Sequence, residues 1–187
     1  MIHIDTIVSN KNFTELAIDD SEFENYHFKS CNFSDVNLSN INFIECVFEN
    51  CNLSLSKFDN TGLKTVEFKN CKLTGVDCSN CNDFLFQVYF ENCILDMVNF
   101  TKRKLIKTSF INCSLKEAFF SETNLQESVF KNCNLDSAIF DNCNLKKADF
   151  STSANYIINP LENRIKGAYF SMDGLIGLVT CFGVKIV

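Results

Sequence analysis

Large apolar residues recur every five positions along most of this chain, a period that belongs to neither regular secondary structure. A helix repeats its apolar face every 3.6 residues and a strand every second one. One register runs through Phe23, Phe28, Phe33, Leu38, Phe43, Phe48, Leu53, Phe58, Leu63, Phe68, Leu73 and Cys78. A second runs from Leu85 through Phe90, Leu95, Phe100 and onward to Leu145 and Phe150, alternating Leu and Phe without error. Two residues before each of these sits a small or β-branched residue, as at Cys51, Ser56, Thr61, Val66, Cys113 and Ala118; Tyr26, Asp83 and Arg103 are the exceptions. Two inward positions of unequal size in every five residues describe a chain that turns one corner per five. Four corners close a square coil, and stacked coils pair like strands about 4.8 Å apart.

A longer period confirms the coil. Cys31, Cys51 and Cys71 are spaced by 20, as are Cys93, Cys113 and Cys133, and each but Cys31 follows an Asn. The step from Cys71 to Cys93 is 22, so two residues are inserted within 79–89, where the two registers part. Asn at a corner tolerates the left-handed backbone, and its amide suits a bond to the Asn one coil away.

The motifs CNLSL (51–55), VNLSN (36–40), TNLQE (123–127), CNLDS (133–137), CNLKK (143–147) and ADFST (148–152) resemble those of the pentapeptide repeat family. The resemblance implies an all-β solenoid, a right-handed quadrilateral β-helix, over residues 21–152. Residues 1–20 keep the register weakly (Val8, Phe13, Ile18), with Lys11 at a small-residue position, and read as a degenerate N-terminal cap. After Phe150 the repeat breaks for STSANYIINPLENRIKG and returns as Ala168-Tyr169-Phe170. Residues 153–187 read as a C-terminal cap and dimerisation module. Met172, Leu175, Ile176 and Val179 have helical spacing with Ser171 as N-cap, and Gly183 precedes a strand-like Val184–Val187. Met172, Leu175, Ile176, Val179, Phe182, Val184 and Ile186 form a candidate dimer interface; the alternative is a monomeric cap folded back on the last coil. An open coil end is a sheet edge that must be covered.

Composition narrows the function. The formal net charge is −6, which argues against direct binding to nucleic acid, where affinity rests on Lys and Arg. Residues 1–98 carry 6 Lys and Arg against 15 acids, and residues 99–187 carry 11 against 8. The start, MIHIDTIVSNKNF, lacks a signal-peptide pattern, and no apolar run is long enough for a membrane span. A cytoplasmic location with reduced thiols is expected for the 11 cysteines. Cys78-Ser79-Asn80-Cys81 is a C-x2-C, but a zinc site needs four ligands and no second pair exists; both cysteines fall on inward positions, so no metal or cofactor is expected. With two His and no nucleophile or phosphate-loop motif, the chain does not read as an enzyme. Lys102, Arg103, Lys104 and Lys107 make the one basic cluster; Arg103, at an inward position, must distort the coil or reach out.

Within the family, the chain length and the segment Ile158-Asn159-Pro160, Asn163 and Gly183-Val184-Lys185-Ile186-Val187 look like the Qnr-type quinolone-resistance and gyrase-poison immunity group. That resemblance implies binding to DNA gyrase or topoisomerase IV as a DNA mimic, and a homodimer. The alternative is a non-enzymatic interaction scaffold with another partner. The large projecting loops of quinolone-protection members are absent, which favours immunity to another topoisomerase poison or simple gyrase interaction. Folding the chain by twenties puts Asp59, Asp77, Glu122 and Asp141 on one face with outward Phe119 and Ile139, the candidate partner-binding face. Asp19, Asp20, Glu22 and Glu24 gather near the N-terminal end.

Overall fold

A computed structural model describes residues 4–15, 18 and 20–185. Asp19, Ile186 and Val187 lie outside the described residues. The strands are β1 (Thr6–Ser9), β2 (Glu22–Glu24), β3 (Tyr26–Lys29), β4 (Asn42–Ile44), β5 (Val47–Glu49), β6 (Gly62–Lys64), β7 (Val66–Lys69), β8 (Val88–Glu91), β9 (Ser109–Ile111) and β10 (Val129–Lys131). One sheet runs β1-β3-β5-β7-β8-β9-β10 and a second runs β2-β4-β6, with every pairing parallel. Partners stand 20 residues apart, as Phe28 opposite Phe48 and Phe110 opposite Phe130, except between β7 and β8, where the interval is 22. The remaining two faces are joined by parallel bridges at the same interval, such as Asn32 to Asn52 and Asn37 to Lys57. The result is a quadrilateral β-solenoid.

Each corner needs one left-handed residue. Positive φ falls every five residues, at Asn40, Glu45, Asn50, Leu55, Asn60, Thr65 and Asn70, then at Asn92, Met97, Lys102 and Lys107. Asn is frequent there because it tolerates that region, and its amide extends the coil-to-coil bonding. Asn92 Nδ2 donates to Asn70 Oδ1 at 3.2 Å, Asn112 to Asn92 at 3.0 Å and Asn132 to Asn112 at 3.1 Å.

The alternation of Leu and Phe has a packing cause. Four steps of five close one coil, so an alternating sequence stacks Phe on Phe and Leu on Leu. Phe28, Phe48, Phe68, Phe90, Phe110, Phe130, Phe150 and Phe170 form one continuous stack with centroids 4.6–5.6 Å apart. Phe100, Phe120 and Phe140 stack on the opposite wall and meet the first column edge-on, as Phe120 meets Phe130 at 5.9 Å and 86°. Offset-stacked and edge-to-face pairs are the two arrangements that ring quadrupoles favour.

The small inward position has its own rule. A hydroxyl or thiol there donates to the carbonyl 23 residues earlier: Ser56 Oγ to Phe33 O at 2.7 Å, Thr61 Oγ1 to Leu38 O at 2.8 Å, Cys133 Sγ to Phe110 O at 3.3 Å. At the two hydroxyl positions that carbonyl already accepts the turn amide three residues on, Phe33 O from Val36 N at 3.1 Å and Leu38 O from Ile41 N at 3.3 Å. Both of its lone pairs are thereby used.

Three expectations are corrected here. The repeat does not break after Phe150: Asn134 bridges Ala154, Asn144 bridges Arg164 and Asp149 bridges Tyr169, so residues 153–170 form a further coil. Its small inward column persists as Ser153 and Asn163, whose side chains donate to Phe130 O and Phe140 O. The C-terminal helix α1 is only Leu175–Val179; Gly174 stands at its N-cap, and Ser171 Oγ accepts from Gly174 N in the turn before it. Val184 and Lys185 form no strand.

Helix α1 sits on the last coil through Ile158 N–H, which donates to Gly177 O at 3.1 Å. A Cβ at Gly177 would lie 1.9 Å from Tyr156 O, so only glycine permits this approach.

Candidate partner-binding face

Of the six residues expected on one face, Asp77, Phe119 and Ile139 share one ladder, and Asp59, Glu122 and Asp141 flank it. Lys57, Asp77, Asn99, Phe119 and Ile139 follow one another along a single bridge ladder. Asn40 N donates to Asp59 O and Glu122 N to Asp141 O, which places these acids at the adjoining corner. They form two groups. Asp59 and Asp77 occupy adjacent coils, and Phe119, Glu122, Ile139 and Asp141 occupy two others further along. Phe119 and Ile139 are 40% and 43% exposed, enough for a partner to bury.

The carboxylates are held by local bonds. Asp77 Oδ1 accepts Ser79 N at 2.8 Å, Asp59 Oδ1 accepts Asn80 Nδ2 at 3.2 Å, and Asp141 Oδ1 accepts Asn142 Nδ2 at 3.0 Å. Glu122 lies 3.7 Å from Lys102 Nζ. With Lys57 and Lys102 on the same face, its acidity is mild.

The thiols are structural. Ten cysteines are buried and Cys181 is exposed. Burial pushes the Cys46 and Cys143 thiols up to about 11, so both stay protonated and donate, Cys46 Sγ to Phe23 O and Cys143 Sγ to Phe120 O. Cys78 and Cys81 are core residues at 2% and 5% exposure. Among the described residues no group of His, Cys, Asp or Glu is arranged to hold a metal ion, and no helix is long and apolar enough to cross a membrane.

Arg103 neither reaches out nor distorts its coil. Its backbone keeps the pattern, with N donating to Phe100 O and O accepting Asn124 N, while its side chain is 3% exposed. The guanidinium donates to Cys81 O at 2.8 Å and to Ser79 O and Asn82 O at 3.4 Å, pairs with Asp83 at 2.9 Å, and lies 4.3 Å from the Phe86 ring. Gly62 bridges Asn82 at an interval of 20, whereas Val66 pairs with Val88 at 22, so the inserted residues lie between 82 and 88. Arg103 fills that irregular corner. The clue in the sequence was an arginine at a small inward position one coil after the slip.

At the C-terminal end the structure leaves Met172, Leu175, Ile176, Phe182 and Val184 exposed, with Val179 half-buried. Ile186 lies outside the described residues.

A rod of stacked coils joined by parallel backbone bonds is a repeat solenoid in class. The chain belongs to the pentapeptide repeat family, whose description, pentapeptide repeat region, matches residues 21–100 and 83–155. Among solved structures, full-length QnrB1, described as a plasmid-mediated fluoroquinolone resistance protein, is 18% identical, with a TM-score of 0.52 over 97% of this chain and 99% of that one. HetL, from the cyanobacterium Nostoc sp. strain PCC 7120 and described as involved in heterocyst differentiation regulation, is 13% identical, with a TM-score of 0.52 over 91% of this chain and 86% of that one. At these identities the likeness is one of fold. Comparison of the sequence with curated proteins finds no match.

Proposed function

We propose that this chain is a non-enzymatic, cytoplasmic rod that binds a type II topoisomerase, DNA gyrase or topoisomerase IV, and shields it from a poison by standing in for DNA. The observation that carries this reading is the face on which Asp59, Asp77, Glu122 and Asp141 accompany exposed Phe119 and Ile139. Carboxylates on such a face present an anionic edge to a DNA-binding surface, and the two apolar side chains supply contact area. Family membership and the C-terminal sequence resemblance support it. Gyrase supercoiling, assayed with and without the protein and a topoisomerase poison, tests it. The expected result is activity retained in the poison's presence, with loss of that protection in Phe119→Ala/Ile139→Ala. Neither protection nor inhibition at micromolar protein would overturn it.

A second reading, an interaction scaffold for another partner, is supported by the likeness to HetL at the same TM-score of 0.52. Absence of any effect on supercoiling would select it.

We further infer that two copies pair through the C-terminal segment. Met172 is 82% exposed and Ile176 57%, an apolar surface for which α1 supplies no cover. Leu175→Asp with Ile176→Asp is expected to halve the sedimentation mass; an unchanged mass sinks the pairing.

A further inference from the structure

The face that follows the partner-binding one around the coil gathers cations from distant parts of the chain. Bridges run Lys104 to Asn124, Asn124 to Asn144 and Asn144 to Arg164. Lys107 N, Glu127 N and Lys147 N donate to Gln126 O, Lys146 O and Lys166 O, which stacks the corresponding corners. Residues 62–65, 82–87, 104–107, 124–127, 144–147 and 164–167 hold seven Lys and Arg against two acids, a net +5 on a chain of −6. Asp83 is occupied by Arg103 and Glu127 by Lys107. Lys64, Lys104, Lys146, Lys147, Arg164 and Lys166 have no carboxylate within 4.0 Å among the described residues. Glu45 marks the N-terminal limit of the strip.

The same face carries an aromatic platform. The inserted residues push Phe84 outward, to 65% exposure, and Leu85, expected to open the second inward register, stands instead at a corner with φ 56° and 66% exposure. Lys64 Nζ stands 5.5 Å from the Phe84 ring centroid, and a groove beside it is lined by Lys64, Leu85, Phe86, Lys104 and Ile106, with the carboxylate of Glu45 also in its wall. From Lys64 to Lys166 is five coil steps, about 24 Å at the ~4.8 Å coil spacing.

We propose that this face binds single-stranded nucleic acid, with phosphates along Lys104, Lys146, Lys147, Arg164 and Lys166 and a base stacked on Phe84 beside Lys64. A cationic track that ends at an exposed aromatic ring offers the two features that unpaired strands recognise, because every base has a π-face and every nucleotide a charge. An acidic peptide would satisfy the lysines but leave the ring unused, which decides the occupant. The net charge of the chain argued against nucleic acid only as an average over four faces. Binding at this face is independent of the topoisomerase reading, and its test contains no topoisomerase.

Fluorescence anisotropy with a labelled oligothymidine of about 10 nucleotides, within the span of single-strand sites, measures binding against salt. Lys146→Gln/Lys147→Asn is expected to weaken binding and to flatten the log–log salt slope by about 1.4, at roughly 0.7 for each phosphate no longer neutralised. Phe84→Ala is expected to weaken it about tenfold with the slope unchanged. Both changes sit on the exposed surface, and circular dichroism of the variants confirms the fold. No binding at tens of micromolar protein in low salt, equal affinity for a duplex, equal competition by polyglutamate, or binding indifferent to both variants would each overturn the proposal.

Discussion

Phe110→Ala is expected to lower the unfolding free energy by about 3–5 kcal/mol, the range for emptying a fully buried aromatic site. Phe110 is fully buried, stacked between Phe90 at 5.3 Å and Phe130 at 4.7 Å, with Phe100 and Phe120 edge-on at 6.1 and 6.2 Å. The site cannot collapse, because the backbone ladder fixes the coil spacing and holds the neighbouring rings where they are. A solenoid transmits stability only between adjacent coils, so the vacancy also uncouples the two halves of the rod. Urea unfolding followed by circular dichroism should therefore show a lower midpoint and a shallower transition. Phe119→Ala, nine positions along and outward-facing, is expected to stay within about 0.5 kcal/mol. Similar small losses for both would refute the assignment of inner and outer positions.

The inner column is legible in the sequence because it is doubly periodic. Five residues set the corner and twenty set the column, and a large side chain every fifth residue suffices to see both. The coil at 153–170 escapes that test because the test weighs the large position, and Asn155 and Pro160 stand where Leu or Phe would. Its small column, carried by Ser153 and Asn163 with their donor bonds to Phe130 and Phe140, runs on unbroken. A criterion built on small hydrogen-bonding residues would find it.

The site divides in the same way. Asp77, Phe119 and Ile139 can be placed on one ladder by counting, since a face depends only on backbone register. The basic strip can be counted too, yet Lys104, Lys146 and Arg164 lie 18 to 60 residues apart and dissolve into a negative average. Arg103 departs from its expected place for a different reason. Counting gives the direction of a Cβ but not the void that an insertion opens beneath it, and a long flexible side chain follows the void.

That void gives the second large effect. Deleting Asp83 and Phe84 would join Cys81-Asn82 to Leu85-Phe86-Gln87, a regular repeat unit, with Val88 at the next small position and Phe90 in register. Made alone, the deletion removes the partner of a guanidinium that is 3% exposed and closes the corner holding its carbonyl acceptors. The guanidinium then loses its carbonyl acceptors at Ser79, Cys81 and Asn82 as well as the carboxylate; a buried charge left without any of them costs about 3–5 kcal/mol, and a loss of that size is expected. Arg103→Thr alone is expected to cost about 2–3 kcal/mol, because Cys81 O loses its 2.8 Å donor and the enlarged corner is left unfilled. Asp83→Ala should cost under about 1 kcal/mol, since that carboxylate is 76% exposed and screened by water. Combined, the deletion and Arg103→Thr should return to within about 1 kcal/mol of the parent. Threonine in a regular coil has the carbonyl 23 residues back within reach, as Thr123 has Phe100 O at 2.7 Å. The coupling between the two changes is then several kcal/mol, far above the few tenths expected of independent sites. Additive losses in a urea-denaturation cycle would show that Arg103 and the insertion are unrelated; strong coupling would show that the arginine is what lets the coil carry two extra residues and hold Phe84 out on its surface.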